Sequence, residues 1–381
     1  MRAFCLNKIS KVALSSLKDP DIIVSDMKDA DSILVRSESM HEIELPDNIL
    51  AVARAGAGVN NIPLDKYAKK GVVVFNTPGA NANAVKELVL CSLFLASRDI
   101  IGGSLWVTDN KDDEDISKDA ERAKAKFAGH EILGKTILVI GLGVIGVMVA
   151  NACDSLGMHV RGYDPYLTIN NAMRLNRNVK YFEKLDEAIE NVDFVTIHVA
   201  LNDSTKGLID NKIFNKLNEA TLLNFSRDAI VNEDDLLVAI ENGNIKKYVT
   251  DFANNKVVNM PNTIILPHLG ASTEEAEDNC AMMAIEELKD YLENGNITHS
   301  VNYPDVHNGI KYSENRVCVL HQNIPGIIAK ITSTIVEYNS NITTFVNKSK
   351  GEYAYSVFDV DGIVDKEKIE KLDGIIKVRI I

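Results

Sequence analysis

Short apolar runs that stop at Gly, Ser or Pro alternate with helix-spaced apolar positions from the start of the chain. DSILVRS, ILAVARAG and GVVVFNTPG are the first such runs. Their near-continuous hydrophobicity predicts strands covered on both faces, hence a parallel sheet. Apolar positions at helical spacing follow in NAVKELVLCSLFLASRDIIGGSLWV, which predicts one long helix with Asn83 available as its cap. The mixed charges of VTDNKDDEDISKDAERAKAK read as a solvated loop and surface helix. A second strand and helix series opens at ILVI and runs through YVTDFA and NTIILPHLGAS; STEEAEDNCAMMAIEELKDYLENG then predicts a long helix closed by Gly295. Residues 298 to 314 are polar and broken by Pro304 and Gly309, which reads as a linker. Beyond it RVCVLHQ, an apolar helix from Pro325 to Tyr338, NITTFVNKS, EYAYSVFDV, a short charged helix near 365 to 372 and IIKVRII spell βαββαβ.

The 381 residues are enough for two or three domains, each with a sizeable core. The pattern predicts an α/β protein with two doubly wound parallel-sheet domains of Rossmann or flavodoxin-like type and a small βαββαβ tail. The expected boundaries are 1–95 with 275–300 for a discontinuous first domain, 96–274 for the second, 301–314 for the linker and 315–381 for the tail. A net charge of -13 argues against broad contact with nucleic acid or an anionic membrane. Any anionic ligand must then be held by a local cluster of cations and amides. The five cysteines, Cys5, Cys91, Cys153, Cys280 and Cys318, lack metal or disulfide spacing, and no apolar run is long enough for a membrane span. No metal and a cytoplasmic location are expected.

The most informative stretch is ILVIGLGVIGVMVANACDSLGMHVRGYD, where Gly141, Gly143 and Gly146 stand between a strand pattern and a helix pattern. The first glycine permits the tight turn, the second lets backbone approach a pyrophosphate and the third lets helix pack on strand. Asp164 ends the next strand, where a carboxylate can accept ribose hydroxyls and repel a 2′-phosphate, which favours NAD over NADP. In a doubly wound sheet ligands lie beyond the carboxyl ends of the strands. Arg36, Ser37, Arg54, Gly56, Gly58, Asn76, Thr77 and Asn81 fall there, as do Arg227 and His268 in the second series.

RAGAGVNNIPLDKYAKKGVVVFNTPGANANAVKELVL, GKTILVIGLGVIGVMVANA, GYDPYL and PHLGASTEEAEDNCA resemble the D-2-hydroxyacid dehydrogenase family, and within it the branch acting on D-3-phosphoglycerate. The resemblance implies NAD-linked oxidation of 3-phosphoglycerate to 3-phosphohydroxypyruvate, the first step of serine synthesis. It implies His268 as acid/base and Arg227 as the residue orienting substrate. It assigns Arg36, Ser37, Arg54, Ala57, Gly58 and Asn81 to the substrate's anionic groups. The cofactor is expected against Thr77, Gly141, Gly143, Val144, Ile145, Gly146, Asp164, His198, Val199, Phe225, Ser226, Arg227, Asp251, His268 and Gly270. The chemistry agrees: oxidising an alcohol next to a carboxylate needs a base, a cation and a hydride acceptor.

Three positions depart from the family. Asn255 stands where a glutamate orients the catalytic imidazole, Asp228 where Gly follows the arginine, and Ala200 where Pro is usual. An amide stabilises imidazolium less than a carboxylate does. HQNIPGIIAKI resembles the opening of an ACT domain, and His321, Asn323 and Asn341 match the positions with which such domains hold L-serine as effector. A homodimer or homotetramer is expected. The alternatives are a glyoxylate or hydroxypyruvate reductase, and a catalytically impaired serine-sensing regulatory protein.

Overall fold

A computed structural model describes residues 1–18 and 21–381, and the chain divides into two compact units: Met1–Asn81 with Glu274–Ile381, and Ala82–Thr273. The first unit opens with strands β1 (Arg2–Cys5), β2 (Ile22–Val24), β3 (Ser32–Val35), β4 (Ala51–Arg54) and β5 (Val73–Phe75). They form a parallel sheet in the order β2-β1-β3-β4-β5, with each neighbour joined in parallel register. β3 is buried at every position and β4 at all but its last, as expected for strands covered on both faces. One face packs Ala3, Leu34, Ala53 and Phe75 against Ala281, Ile285 and Leu288 of the helix Glu274–Asn294; the other packs Ile33, Val52 and Val74 against Tyr67.

The second unit carries β6 (Thr136–Ile140), β7 (His159–Tyr163), β8 (Lys180–Phe182), β9 (Phe194–Ile197), β10 (Ala220–Asn224), β11 (Ile245–Thr250) and β12 (Thr263–Ile265). Their order is β12-β11-β10-β9-β6-β7-β8, all parallel, so the strand order reverses beside β6. That is the doubly wound dinucleotide-binding arrangement. The boundary expected at residue 95 falls instead at Asn81/Ala82. Val85, Val89, Leu93 and Ala96 of the helix Ala82–Ser97 are buried with Val139, Val147, Ala150 and Val249 of this unit, and the burial decides the assignment. The single long helix expected here is two. Asp99 accepts the amide of Gly102 at 3.0 Å and starts a second helix, Ile100–Asp109, bent 70° from the first. Asn83 lies inside the first helix and bonds Glu87, so it is not the cap. Among the described residues no single helix is long and apolar enough to cross a membrane.

The tail is a four-stranded antiparallel sheet of β13 (Asn315–Gln322), β14 (Asn341–Lys350), β15 (Tyr353–Asp361) and β16 (Ile375–Ile380), ordered β14-β15-β13-β16. With the helices Ile327–Val336 and Lys366–Glu370 it gives the βαββαβ topology read from the sequence, the helices covering Val317, Val319 and Phe358. Its other face, Cys318, Leu320, Tyr355 and Val357, shares the first unit's core with Phe75, Tyr291 and Tyr303. Segment 301–314 is therefore no free linker. Tyr303 and Val306 are fully buried, Asn302 accepts the Val74 amide and donates to the Val72 carbonyl, and buried Arg316 binds Asp359 and the carbonyls of Asn294 and Gly309. Asn302, one of the polar residues that suggested a linker, satisfies buried backbone at Val72 and Val74.

Candidate active site

In the first unit the expected residues gather at the carboxyl ends of β1, β3, β4 and β5. Asn7, just past β1, accepts the amide of Arg36 at 2.9 Å and donates to the Ser37 hydroxyl at 3.1 Å. The Arg54 Nε donates to the Arg36 carbonyl at 3.1 Å, so the two guanidinium groups stand on neighbouring strand ends. Gly56 has φ 154°, and a Cβ there would lie 2.6 Å from Arg54 Nη1; only glycine leaves that guanidinium its place. Asn76 Nδ2 donates to the Ala57 carbonyl at 2.6 Å, holding the loop that contains Gly58. Thr77 Oγ1 and Asn81 Oδ1 are buried with no hydrogen-bond partner among the described residues. Asn7 escaped the sequence reading, although its position after the first strand is the signal that picked out the others.

In the second unit the glycine turn is built as its sequence requires. Gly141 has φ 92° and a Cβ would meet the His198 carbonyl oxygen at 2.7 Å; at Gly146 it would meet the Gly141 oxygen at 1.8 Å. Around Gly143 there is open space. The helix Val144–Ser155 begins there with no side-chain cap, leaving the amides of Val144, Ile145 and Gly146 without intrahelical acceptors. Asp164 follows β7, its carboxylate fixed by the amides of Leu142 and Tyr166, each at 2.8 Å. The His198 ring lies 2.9 Å from the Thr196 hydroxyl, and burial pushes the imidazole down to about 3, so it is neutral. Ser226 donates to the Val199 carbonyl, closing the loop beside buried Phe225.

Asp251, 2% exposed, follows β11. Its Oδ2 accepts the Gly270 amide at 2.9 Å, while Oδ1 is buried with no partner among the described residues. Burial pushes this carboxyl up, opposed by that amide and by His268 and Arg227 nearby. An orphaned acceptor at the end of a Rossmann strand fits an amide donor of a nicotinamide, and with the open glycine turn and Asp164 the residues fit NAD. His268 sits past β12 at φ 51°, exposed, its amide bonded to the Asp251 carbonyl at 3.0 Å and its ring edge-on to Phe252 with centroids 5.1 Å apart. Arg227 is exposed, donating to the Ser226 carbonyl at 2.6 Å and forming no ion pair with Asp228, which instead accepts the Ala229 amide. Asn255 is exposed and its side chain makes no hydrogen bond to His268; only its backbone oxygen is used, by Asn259.

The three effector positions do not meet within one chain. His321 pairs with Ala354 and so with Ser349 near the end of β14, whereas Asn341 opens β14 opposite Asp361. His321 is buried, Nδ1 donating to the Gln322 carbonyl at 2.8 Å and Nε2 2.9 Å from the Ser356 hydroxyl, and burial pushes its imidazole down. Asn323 and Asn341 are exposed.

A family model described as D-isomer specific 2-hydroxyacid dehydrogenase, NAD binding domain, matches residues 93–270. The D-3-phosphoglycerate dehydrogenase of Haemophilus influenzae is 30% identical over 388 residues, covering 95% of this chain and 89% of that relative. That of Bacillus subtilis is 32% identical over 323 residues, covering 80% of this chain and 59% of the relative. Among solved structures, the NAD+-bound 3-phosphoglycerate dehydrogenase of Entamoeba histolytica is similar with a TM-score of 0.62 and 25% identity, covering 79% of this chain and 98% of that one. With the Rossmann strand order, the glycine turn and Asp164 in place, the chain belongs to the D-isomer specific 2-hydroxyacid dehydrogenase family, an NAD-dependent enzyme acting on a small-molecule substrate.

Proposed function

We propose that the chain oxidises 3-phosphoglycerate to 3-phosphohydroxypyruvate with NAD. The observation that carries this reading is the pair Arg36 and Arg54 on adjacent strand ends, because the multiple charge of a phosphate is matched by clustered guanidinium groups. Relatives that carry this activity in their names match over nearly the whole chain.

Bound NAD would supply the hydride acceptor, held by the amides at Val144 to Gly146, by Asp164 and by Asp251. The protein's own residues do the rest. The His268 imidazole removes the hydroxyl proton as the carbon–hydrogen bond gives up its hydride, and returns that proton in the reverse direction. Arg227 holds the carboxylate and the oxygen that becomes a carbonyl. Steady-state NADH oxidation with phosphohydroxypyruvate, hydroxypyruvate and glyoxylate tests the reading, which fails if phosphohydroxypyruvate is not the preferred substrate.

A second reading, a protein of low turnover, has one observation in its favour: the His268 ring has no hydrogen-bonded carboxylate among the described residues. The same assay separates the two. An L-serine response would need His321 and Asn323 of one copy near Asn341 of another, which is consistent with a dimeric or tetrameric assembly. Calorimetry with serine and sedimentation of the full chain test both. Five free cysteines suit a reducing compartment such as the cytoplasm, which cell fractionation tests.

A further inference from the structure

Asn7 decides which way a neighbouring hydroxyl can point. It stands two residues past β1, where the Leu6 amide still bonds the Leu34 carbonyl at 2.9 Å, so its backbone is held in line with β3. Its half-buried side chain bridges two consecutive residues just after β3. The Arg36 backbone N–H can only donate, so the Asn7 side-chain oxygen, 2.9 Å away, must face it. The amide nitrogen therefore faces Ser37 and donates to its hydroxyl oxygen at 3.1 Å. An amide NH2 group accepts nothing, so the Ser37 proton cannot turn back onto Asn7. Ser37 is exposed, and its side chain makes no other hydrogen bond among the described residues.

A hydroxyl whose oxygen is already hydrogen-bonded and whose proton is free is a directed donor, and a donor suits an anion. The Arg36 guanidinium at the same strand end already meets a carboxylate, Glu277 Oε1 lying 2.6 Å from its Nη2. The Ser37 proton meets none among the described residues. We propose that Asn7 is a positioning residue: by donating to Ser37 it aims the hydroxyl proton outward, at an anionic oxygen of the bound substrate. It acts through Ser37 and touches no substrate itself. This rests on the reading of Ser37 as a substrate ligand. An aspartate at position 7 would reverse the arrangement. One carboxylate oxygen would still accept the Arg36 amide, but the other would accept the Ser37 proton and withdraw it from the substrate.

The test measures KM and kcat with NADH and phosphohydroxypyruvate, and the thermal midpoint, for Asn7→Ala, Asn7→Asp, Ser37→Ala and the double variant Asn7→Asp/Ser37→Ala. Ser37→Ala and Asn7→Asp are each expected to raise KM about tenfold or more, the scale of a hydrogen bond to a charged group, and Asn7→Ala only about two- to fivefold, with the losses on KM rather than kcat. Thermal midpoints should run the other way, Asn7→Asp closer to the parent than Asn7→Ala because it keeps an acceptor for the Arg36 amide. Once Ser37 is alanine, only the added charge of Asn7→Asp remains, and the further rise in KM should stay within about threefold. A KM that follows the thermal midpoint, worse in Asn7→Ala than in Asn7→Asp, would make Asn7 a loop tie and overturn the proposal. So would an equal effect of Asn7→Asp with and without the Ser37 hydroxyl, which is plain charge repulsion. An unchanged KM in Ser37→Ala overturns the reading of Ser37 and the proposal with it. If the parent reduces hydroxypyruvate or glyoxylate instead, the proposed substrate is wrong and the same variants are read with the acid it does reduce; where turnover is too slow, calorimetric dissociation constants of phosphohydroxypyruvate take the place of KM.

Discussion

Asp251 and Gly270 are joined by a 2.9 Å hydrogen bond that uses one carboxylate oxygen and leaves the other buried and unpaired. A Cβ on Gly270 would approach that carboxylate to 3.1 Å, so the glycine permits the contact. An unpaired buried acceptor is costly unless a ligand completes it. Asp251→Ala is therefore expected to weaken NADH binding roughly 5- to 30-fold, the equivalent of about 1–2 kcal/mol, in a fluorescence titration. Unchanged affinity would remove Asp251 from the cofactor site.

The two amides that grip Asp164 fix a negative charge at the end of β7. NAD should bind at least about tenfold more tightly than NADP, and Asp164→Ser should narrow that gap by improving NADP relative to NAD. Equal affinities of the parent protein for both dinucleotides would show that the carboxylate does not face the ribose.

His268 and Asn255 should behave very differently. The ring of His268 is exposed and beside Phe252, ready for proton transfer, so His268→Gln is expected to lower kcat about 10²- to 10⁴-fold while NADH still binds. The Asn255 side chain makes no hydrogen bond among the described residues, and Asn255→Ala should stay within about twofold of the parent rate. A loss at Asn255 as large as at His268 would place the amide in the catalytic step after all.

Glu287, buried on the helix Glu274–Asn294, lies 2.7 Å from His299 Nδ1, and burial, aided by Asp305 and Glu286, pushes its carboxyl up to about 9. Near neutral pH Glu287 therefore keeps its proton in the folded protein. The folded protein holds this proton where the unfolded chain has lost it, so stability falls as pH rises from the ordinary carboxyl range to about 9. Glu287→Gln should remove that loss, raising the thermal midpoint at pH 8.5 by at least roughly 2–4 °C while changing little at pH 5. A variant whose midpoint follows the parent across this range would show that Glu287 is ionised when folded.

Much of the architecture was legible because its signals are local. Continuous apolar runs fixed the parallel strands, and Gly141, Gly143 and Gly146 could be assigned because a tight turn and close packing forbid a side chain there. Gly295 closes its helix at φ 70° for the same reason. The tail's six elements fell where periodicity put them. The family's residues past the strand ends could be located because strand ends are readable.

What the sequence left open depends on partners distant along the chain. Which unit owns the helix Ala82–Ser97 was decided by burial of Val85, Val89 and Leu93 against residues beyond 130. Pro304 and Gly309 suggested a linker, but Arg316, Asn302 and Tyr303 satisfy buried carbonyls and amides there, a pairing no local pattern reveals. Glu277 looked like one acid in an acidic helix start until folding placed it 2.6 Å from Arg36. The sequence by itself determined strands, turns and the chemistry available at strand ends, since these follow from side-chain shape and backbone freedom within a few residues. Only the tertiary structure decided which charges neutralise one another and which polar groups are left waiting, because Coulomb attraction and desolvation act on distances in space.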